Sequence, residues 1–238
     1  MVEEIVKACP AASGNRALEV GSGTGIATKL FVQRGYSVIA LEPGKSLIRE
    51  AERTVQSHPS VRFINQTLEN WPLENEAFDL VFSAEAFHWV DKTIGYKKVY
   101  QALKQHGVFA LFWNLHADEK TPVNDAILEM HRRICPKLYE KKRDYILEDL
   151  AQHHLRELKE SRRFDSIQEF RYPWQEELSS ESYLQLLNTY SDYRVLAPNQ
   201  REDLFREIRR ILDAAGGTVT KQYVTLLLLT KKNGLNHQ

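Results

Sequence analysis

The first half of the chain alternates short apolar runs with amphipathic stretches. Arg16 to Val20 is a strand-like run that leads directly into a glycine cluster. Ile26 to about Arg34, with Ile26, Leu30 and Phe31 on one side, predicts a helix that Gly35 ends. Tyr36 to Leu41 is apolar and β-branched and predicts a second strand. Pro43-Gly44 opens the next turn, and Ser46 is the expected N-cap of a helix reaching about Ser57. Val61–Ile64 and Phe78–Ser83 read as the third and fourth strands, and Val108–Trp113 as the fifth. Between the last two, Asp91 caps a predicted helix running to Lys104. Strands separated by helical stretches imply right-handed crossovers and a parallel sheet covered on both faces.

The second half loses this rhythm. From Thr121 to about Phe164 the pattern is helical and highly charged, interrupted by Pro136. Phe170–Trp174 predicts a sixth strand, helices follow over Ser180–Tyr193 and Pro198–Ala215, and Gly216-Gly217 turns the chain into a last strand around Tyr223–Thr230. The expected organisation is one domain over 1–238. Residues 16–114 form its core, 115–217 a helical cap with the sixth strand, and 218–232 the last strand.

Charge narrows the possible partners. Lys plus Arg number 32, as do Asp plus Glu, so no net field recruits nucleic acid or an anionic membrane. Basic runs such as Arg162-Arg163 read as solvated helix faces. Cys9 and Cys135 form neither a disulfide framework nor a metal cluster. Two such isolated cysteines suit a reducing, cytoplasmic setting. Met1 to Pro10 lacks the apolar stretch of a signal peptide, and Leu226–Leu229 is too short to span a bilayer.

The glycine cluster carries the first chemistry. A glycine-rich turn between a strand and a helix brings backbone amides close to a ligand. The dinucleotide fingerprint Gly-x-Gly-x-x-Gly would need glycine at position 26, which is Ile26; the pattern here is Gly21-x-Gly23-x-Gly25. Glu19 stands two residues ahead of it, where a carboxylate suits a ligand ammonium better than a pyrophosphate. Glu42, at the end of the second strand and about 20 residues beyond the first glycine, is placed to accept both hydroxyls of a ribose. Singly these features are weak; together they point to a nucleoside that carries an amino-acid end and no phosphate. S-adenosylmethionine has that form.

The run Ala17-Leu18-Glu19-Val20-Gly21-Ser22-Gly23-Thr24-Gly25, followed by Val38-Ile39-Ala40-Leu41-Glu42-Pro43, resembles the class I S-adenosylmethionine-dependent methyltransferases of the type 11 domain. Phe78–Val81 with Ser83-Ala84-Glu85-Ala86-Phe87-His88-Trp89, Phe109–Asn114 and Thr189–Tyr193 resemble the subgroup that includes trans-aconitate methyltransferases. The resemblance implies an α/β, Rossmann-like, mostly parallel seven-stranded sheet with helices on both faces and a helical cap after the fifth strand. It also implies that Glu19, Gly21, Ser22, Gly23 and Gly25 line the amino-acid end of S-adenosyl-L-methionine and that Glu42 holds the ribose. Thr67 and Leu68 would meet the adenine, Thr67 standing where many members have an acidic residue. Ser83 and Ala84 would pass the sulfonium. Before the fifth strand, Gln105-His106-Gly107 replaces the family's usual Pro-Gly-Gly, a turn that histidine tolerates in a left-handed conformation.

The implied reaction is in-line methyl transfer to a small-molecule acceptor, in which the protein mainly positions the reactants. His88 is the candidate catalytic group, either lining the site or acting as base. Trp89, Trp113, Asn114 and Tyr190 are the expected substrate-side residues, the tryptophans as walls or as cation–π partners. Adjacent His153-His154 lacks the i, i+4 histidine pair of a helical metal site, so no metal is expected. The other readings of the same residues are a non-catalytic S-adenosylmethionine-binding regulatory protein and a nicotinamide-dependent oxidoreductase. A monomer or homodimer is expected, with neither nucleic acid nor membrane as partner.

Overall fold

The computed structural model describes residues 1–10, 14–117, 120–143 and 147–234, with backbone alone for 141–143 and 147. Helix α1 (Val2–Ala8) precedes strand β1 (Arg16–Val20), helix α2 (Ile26–Val32), β2 (Ser37–Leu41), α3 (Lys45–Thr54) and β3 (Val61–Ile64). After β4 (Phe78–Ala84) come one turn of 3₁₀-helix at Phe87–Trp89, then α4 (Lys92–Ala102) and β5 (Leu103–His116). The second half contains α5 (Pro122–Ile134), α6 (Pro136–Arg143), α7 (Leu147–Glu160), β6 (Phe164–Ser179), α8 (Ser180–Thr189), α9 (Ser191–Arg194), α10 (Pro198–Ala214) and β7 (Thr218–Lys232).

The strands form one seven-stranded sheet in the order β3-β2-β1-β4-β5-β7-β6. The pairs β1–β2, β1–β4, β2–β3 and β4–β5 are parallel. Strand order reverses at β1, so the loops after β1 and β4 flank a topological switch point, where open α/β sheets bind ligands. Leu18, Leu80, Val81, Phe82, Phe109 and Ala110 are all buried, as expected of strands covered on both faces.

Two compact units form. The first comprises residues 1–114, 153–172 and 225–238, and the second 115–152 and 173–224. Segment 153–172 thus groups with the core, whereas the sequence boundaries placed it in the cap. In the first unit Phe31, Tyr36 and Phe82 pack between α2 and the sheet, with Phe31 and Phe82 ring centroids 4.1 Å apart. The second unit has its own core, in which Leu184, Leu187, Tyr193, Leu204, Ile208 and Leu212 are buried. There the His131 ring bridges the Ile127 carbonyl and the Tyr193 hydroxyl, each at 2.7 Å.

Local differences from the sequence reading have physical causes. Gly44, not Ser46, is the N-cap of α3, because the chain is already extended there (ψ 101°). Ile26 is 69% exposed while Ala27, Thr28 and Phe31 are buried; the helix therefore turns its first residue away from the core face expected of it. Strand β6 runs well beyond Phe170–Trp174, since it closes the strand order as an edge, where polar residues are tolerated on most positions. The helix expected over Ser180–Tyr193 breaks at Tyr190 into α8 and α9. His106 adopts the expected left-handed conformation, φ 63°, but within β5, which already begins at Leu103. Cys9 and Cys135 are free and buried. Among the described residues no helix is long and apolar enough to cross a membrane.

Candidate functional site

The loop between β1 and α2 turns sharply at Gly21. The Gly21 and Ser22 amides both donate to the Leu41 carbonyl, at 2.9 and 3.0 Å, tying the loop to the end of β2. Gly21 has φ +75°, and a Cβ there would lie 2.3 Å from Cβ of Ala86, so only glycine fits. Gly25 (φ +79°) caps α2, where a Cβ would come within 3.0 Å of Ala51. Among the described residues the buried Ser22 hydroxyl has no hydrogen-bond partner.

Two carboxylates serve this loop in different ways. Glu42, buried at the tip of β2, accepts the Gly23 amide on Oε2 at 2.9 Å and the Gly44 amide on Oε1 at 2.8 Å. Glu19 is fully buried on β1; the Thr28 hydroxyl donates to its Oε2 at 2.5 Å, while Oε1 has no partner. Burial pushes the Glu19 pKa up to about 8; the Thr28 hydrogen bond opposes the rise and neighbouring Glu42 adds to it. A half-satisfied buried acid of this kind is costly to ionise unless a cation joins it. Thr28 was not singled out in the sequence, although its place one turn into the helix opposite β1 was readable.

The loop after β3 holds Thr67, half-buried, and Leu68, 2% exposed. Lys98 on α4 donates to the carbonyls of Leu68, Glu69 and Trp71 at 3.0, 2.7 and 2.7 Å. Asn65 clamps the other side, donating to the Glu42 and Pro43 carbonyls at 3.0 and 2.8 Å. Neither Lys98 nor Asn65 carries a sequence signal beyond its residue type. Their role depends on the tertiary arrangement.

At the end of β4 the Ser83 hydroxyl donates to the Val20 carbonyl at 2.7 Å, joining β4 to β1, and Ala84 is half-buried. Glu85 turns with φ 58° and accepts the Asn114 amide at 2.5 Å, while the Asn114 side-chain oxygen accepts the Thr225 hydroxyl at 2.7 Å. His88 and Trp89 are both exposed on the 3₁₀ turn, their ring centroids 4.9 Å apart, and Trp89 is 79% exposed. Trp113, in contrast, is 3% exposed. One of its faces is covered by His154 of α7, coplanar within 1° at 3.9 Å, and its Nε1 is buried without a partner. His88 approaches the same cluster, 6.5 Å from His154 between ring centroids. Desolvation lowers the pKa of both imidazoles, that of His154 to about 4; both are neutral at pH 7. Tyr190 belongs to the second unit, between α8 and α9 and edge-on to His116 at 5.8 Å.

The sequence-derived set therefore divides. Gly21, Ser22, Gly23, Gly25 and Glu42 form one hydrogen-bonded group at the switch point, Glu19 stands beside it bonded to Thr28, Ser83 anchors next to it, and His88 shares a ring cluster with Trp89, Trp113 and the unforeseen His154.

Residues 18–111 match the family model of the methyltransferase domain. Over that segment the chain is similar to the methyltransferase domain family. The segment covers β1 through the middle of β5, the part of the chain that builds this group. An uncharacterized methyltransferase of Mycobacterium bovis is 32% identical over 103 residues, 43% of this chain and 41% of that relative. The matched part therefore spans less than half of the relative's length. Among solved structures, one from Anaeromyxobacter dehalogenans described as a type II methyltransferase aligns with a TM-score of 0.68 at 21% identity, over 99% of this chain and 95% of the other. Phosphoethanolamine N-methyltransferase 2 of Haemonchus contortus, solved with S-adenosylhomocysteine, aligns with a TM-score of 0.54 at 17% identity over 97% and 52%. The fold of the whole chain is thus the Rossmann-like one of class I methyltransferases.

Proposed function

We propose that the chain is an S-adenosylmethionine-dependent methyltransferase acting on a small-molecule acceptor. One observation carries the reading: across a glycine loop that excludes side chains stand a buried carboxylate with an unpartnered oxygen, Glu19, and a second carboxylate, Glu42, at the neighbouring strand tip. These residues fit the cofactor. Glu19 Oε1 and the Ser22 hydroxyl lack partners that an ammonium and a carboxylate would supply. Each Glu42 oxygen accepts one amide and keeps acceptor capacity for a ribose hydroxyl. Leu68 supplies an apolar wall and Thr67 a hydroxyl for the adenine, and Ser83 and Ala84 border the region between them.

When bound, the cofactor supplies an activated methyl group on a sulfonium. The chain's residues then have three tasks. Glu19 and Glu42 fix the amino-acid end and the ribose of the cofactor, on either side of the sulfonium, which sets the direction of attack. The Glu85–Asn114 bond ties the end of β4 to β5 and the Ser83–Val20 bond ties it to β1, so the acceptor side is held from both neighbours. His88, neutral and exposed beside Trp89, is the group available to receive a proton from an alcohol, phenol or amine; a carboxylate acceptor would not use it. The chain's formal net charge of +0 disfavours nucleic acid as acceptor. The resemblance to the trans-aconitate subgroup puts small carboxylic acids first among the acceptors to screen. We place this activity in a monomer or homodimer in a reducing, cytoplasmic setting.

Isothermal titration with S-adenosylhomocysteine tests the reading. The full chain is expected to bind one equivalent, and Glu42→Ala to weaken binding about 100-fold, the loss of two hydrogen bonds to a charged group. Absence of binding at saturating cofactor, or an unchanged Kd in the variant, overturns it. Transfer of labelled methyl to a panel of carboxylic acids, phenols and amines then identifies the acceptor class.

A further inference from the structure

A second cluster lies on α7, within the first unit. His153, His154 and Glu157 each offer one ligand atom, and these atoms all lie within 4.8 Å of one another. His153 Nε2 is 2.7 Å from Glu157 Oε1, and His154 Nδ1 is 4.0 Å from Glu157 Oε2. The sequence reading set the histidine pair aside because the two are adjacent. The spacing that matters instead runs from each histidine to the carboxylate, i to i+4 for His153 and i to i+3 for His154, both of which share a helix face.

Two further observations point to a ligand. His154 is 9% exposed at its side chain, stacks on Trp113, and makes no hydrogen bond through either ring nitrogen among the described residues. Beside the cluster a cavity of about 520 Å³ opens between α4 and α7, lined by His153 and Glu157 together with Lys92, Tyr96 and Arg156. The Lys92 ammonium already sits against Glu157 Oε1, so the carboxylate is attracting a cation. Lys92 is half-exposed, at 52%, on a flexible stem, and can return to water if a stronger cation arrives.

We infer that His153, His154 and Glu157 form a binding site for a divalent transition-metal ion, Zn²⁺ in the first instance. Two imidazoles and one carboxylate are the ligand set of an open zinc site, whose fourth position holds water or another small ligand. Here two of the three ligands, His153 and Glu157, line the cavity. Imidazole and carboxylate together select Zn²⁺, Ni²⁺ or Co²⁺ over Ca²⁺ and Mg²⁺, which take all-oxygen shells. In the absence of a metal ion Lys92 is the cation that competes for Glu157. The inference is independent of the methyltransferase reading.

The test is titration of the full chain with Zn²⁺ against a chromophoric chelator, with Co²⁺ as a spectroscopic probe. One equivalent is expected to bind, and Co²⁺ to show the intense visible bands of a low-coordinate site. His153→Gln and His154→Gln are each expected to weaken Zn²⁺ binding by about 100-fold or more, at or above the range for losing an outer-shell partner. Lys92→Met is expected to tighten it several-fold. Because His154 packs on Trp113, its variant is checked by circular dichroism. His153 is 54% exposed and keeps the test decisive if the His154 variant does not fold. No stoichiometric binding by the wild-type chain, an unchanged affinity in His153→Gln, or weaker binding in Lys92→Met would overturn the proposal.

Discussion

The ends of β1 and β4 are neighbours in the sheet and are built by opposite means. After β1 the chain uses backbone: glycines at positive φ, amides donated to Leu41, and a loop amide donated to Glu42. After β4 it uses side chains, a ring cluster of His88, Trp89, Trp113 and His154 whose last member comes from a helix far along the sequence. The first arrangement suits a ligand part that never varies, because backbone amides and a fixed turn leave little freedom. The second can be altered one residue at a time without refolding the loop. An invariant cofactor and a variable acceptor ask for that division.

The two regions touch at Gly21, so the largest expected effect comes from joining them wrongly. In Gly21→Ala the new Cβ would meet Ala86 at 2.3 Å while the backbone keeps φ +75°. Left-handed strain and overpacking together are expected to cost about 3 kcal/mol. Urea unfolding measures the loss, and S-adenosylhomocysteine binding should fall below detection. Wild-type stability with intact binding in this variant would mean that the close approach of the loop to Ala86 does not matter, and the contrast between the two strand ends would fail.

The same contrast explains what was legible in the sequence. β1, β2, β4 and the apolar stretch of β5 are largely buried runs, and the glycine loop with Glu19 and Glu42 encodes its own geometry within about 25 residues; local patterns of this kind read directly. The start of β5, Leu103-Lys104-Gln105-His106, was hidden because its residues are polar, although Leu103 pairs with Phe78. Most of β6 was hidden because its side chains are largely exposed. Lys98, Asn65 and His154 are not legible as site residues since each acts through a partner distant in sequence. Trp113 was expected as an acceptor wall, yet its stacking on His154 is invisible without the fold.

A middle-sized effect separates the two carboxylates of the glycine loop. The folded-state pKa of Glu19, about 8, lies above the ordinary carboxyl value of 4.5. Between these values the folded chain holds a proton that the unfolded chain has released, so stability falls as pH rises through that window. Glu19→Gln keeps an acceptor for Thr28 and removes the titration. It is expected to flatten the pH profile and to be more stable than wild type near pH 8 by about 2 kcal/mol, discounted for relaxation around the site. Thermal melts from pH 5 to pH 9 test this; parallel profiles for the two proteins would remove the buried-acid account. Under the proposed function, cofactor binding at pH 7 should also release a proton from Glu19, seen as buffer-dependent heats that vanish in the variant.

The smallest effect asks whether the cofactor side is backbone-built throughout. Lys98 breaks that rule: its ammonium gathers the Leu68, Glu69 and Trp71 carbonyls and so shapes the loop where adenine would lie. Lys98→Met keeps the stem and deletes the three donors. Water reaches this partly exposed position and can replace some of them, so the expected cost is about 1 kcal/mol rather than the sum of three charged hydrogen bonds. A loosened loop should weaken S-adenosylhomocysteine several-fold and leave Zn²⁺ affinity unchanged, because no ligand of the α7 cluster contacts Lys98. If Lys98→Met lowers stability without moving the nucleoside Kd, the loop is held by Asn65 and β3 alone. The side-chain contribution would then belong to the β4 end only, and the contrast would be sharper than stated.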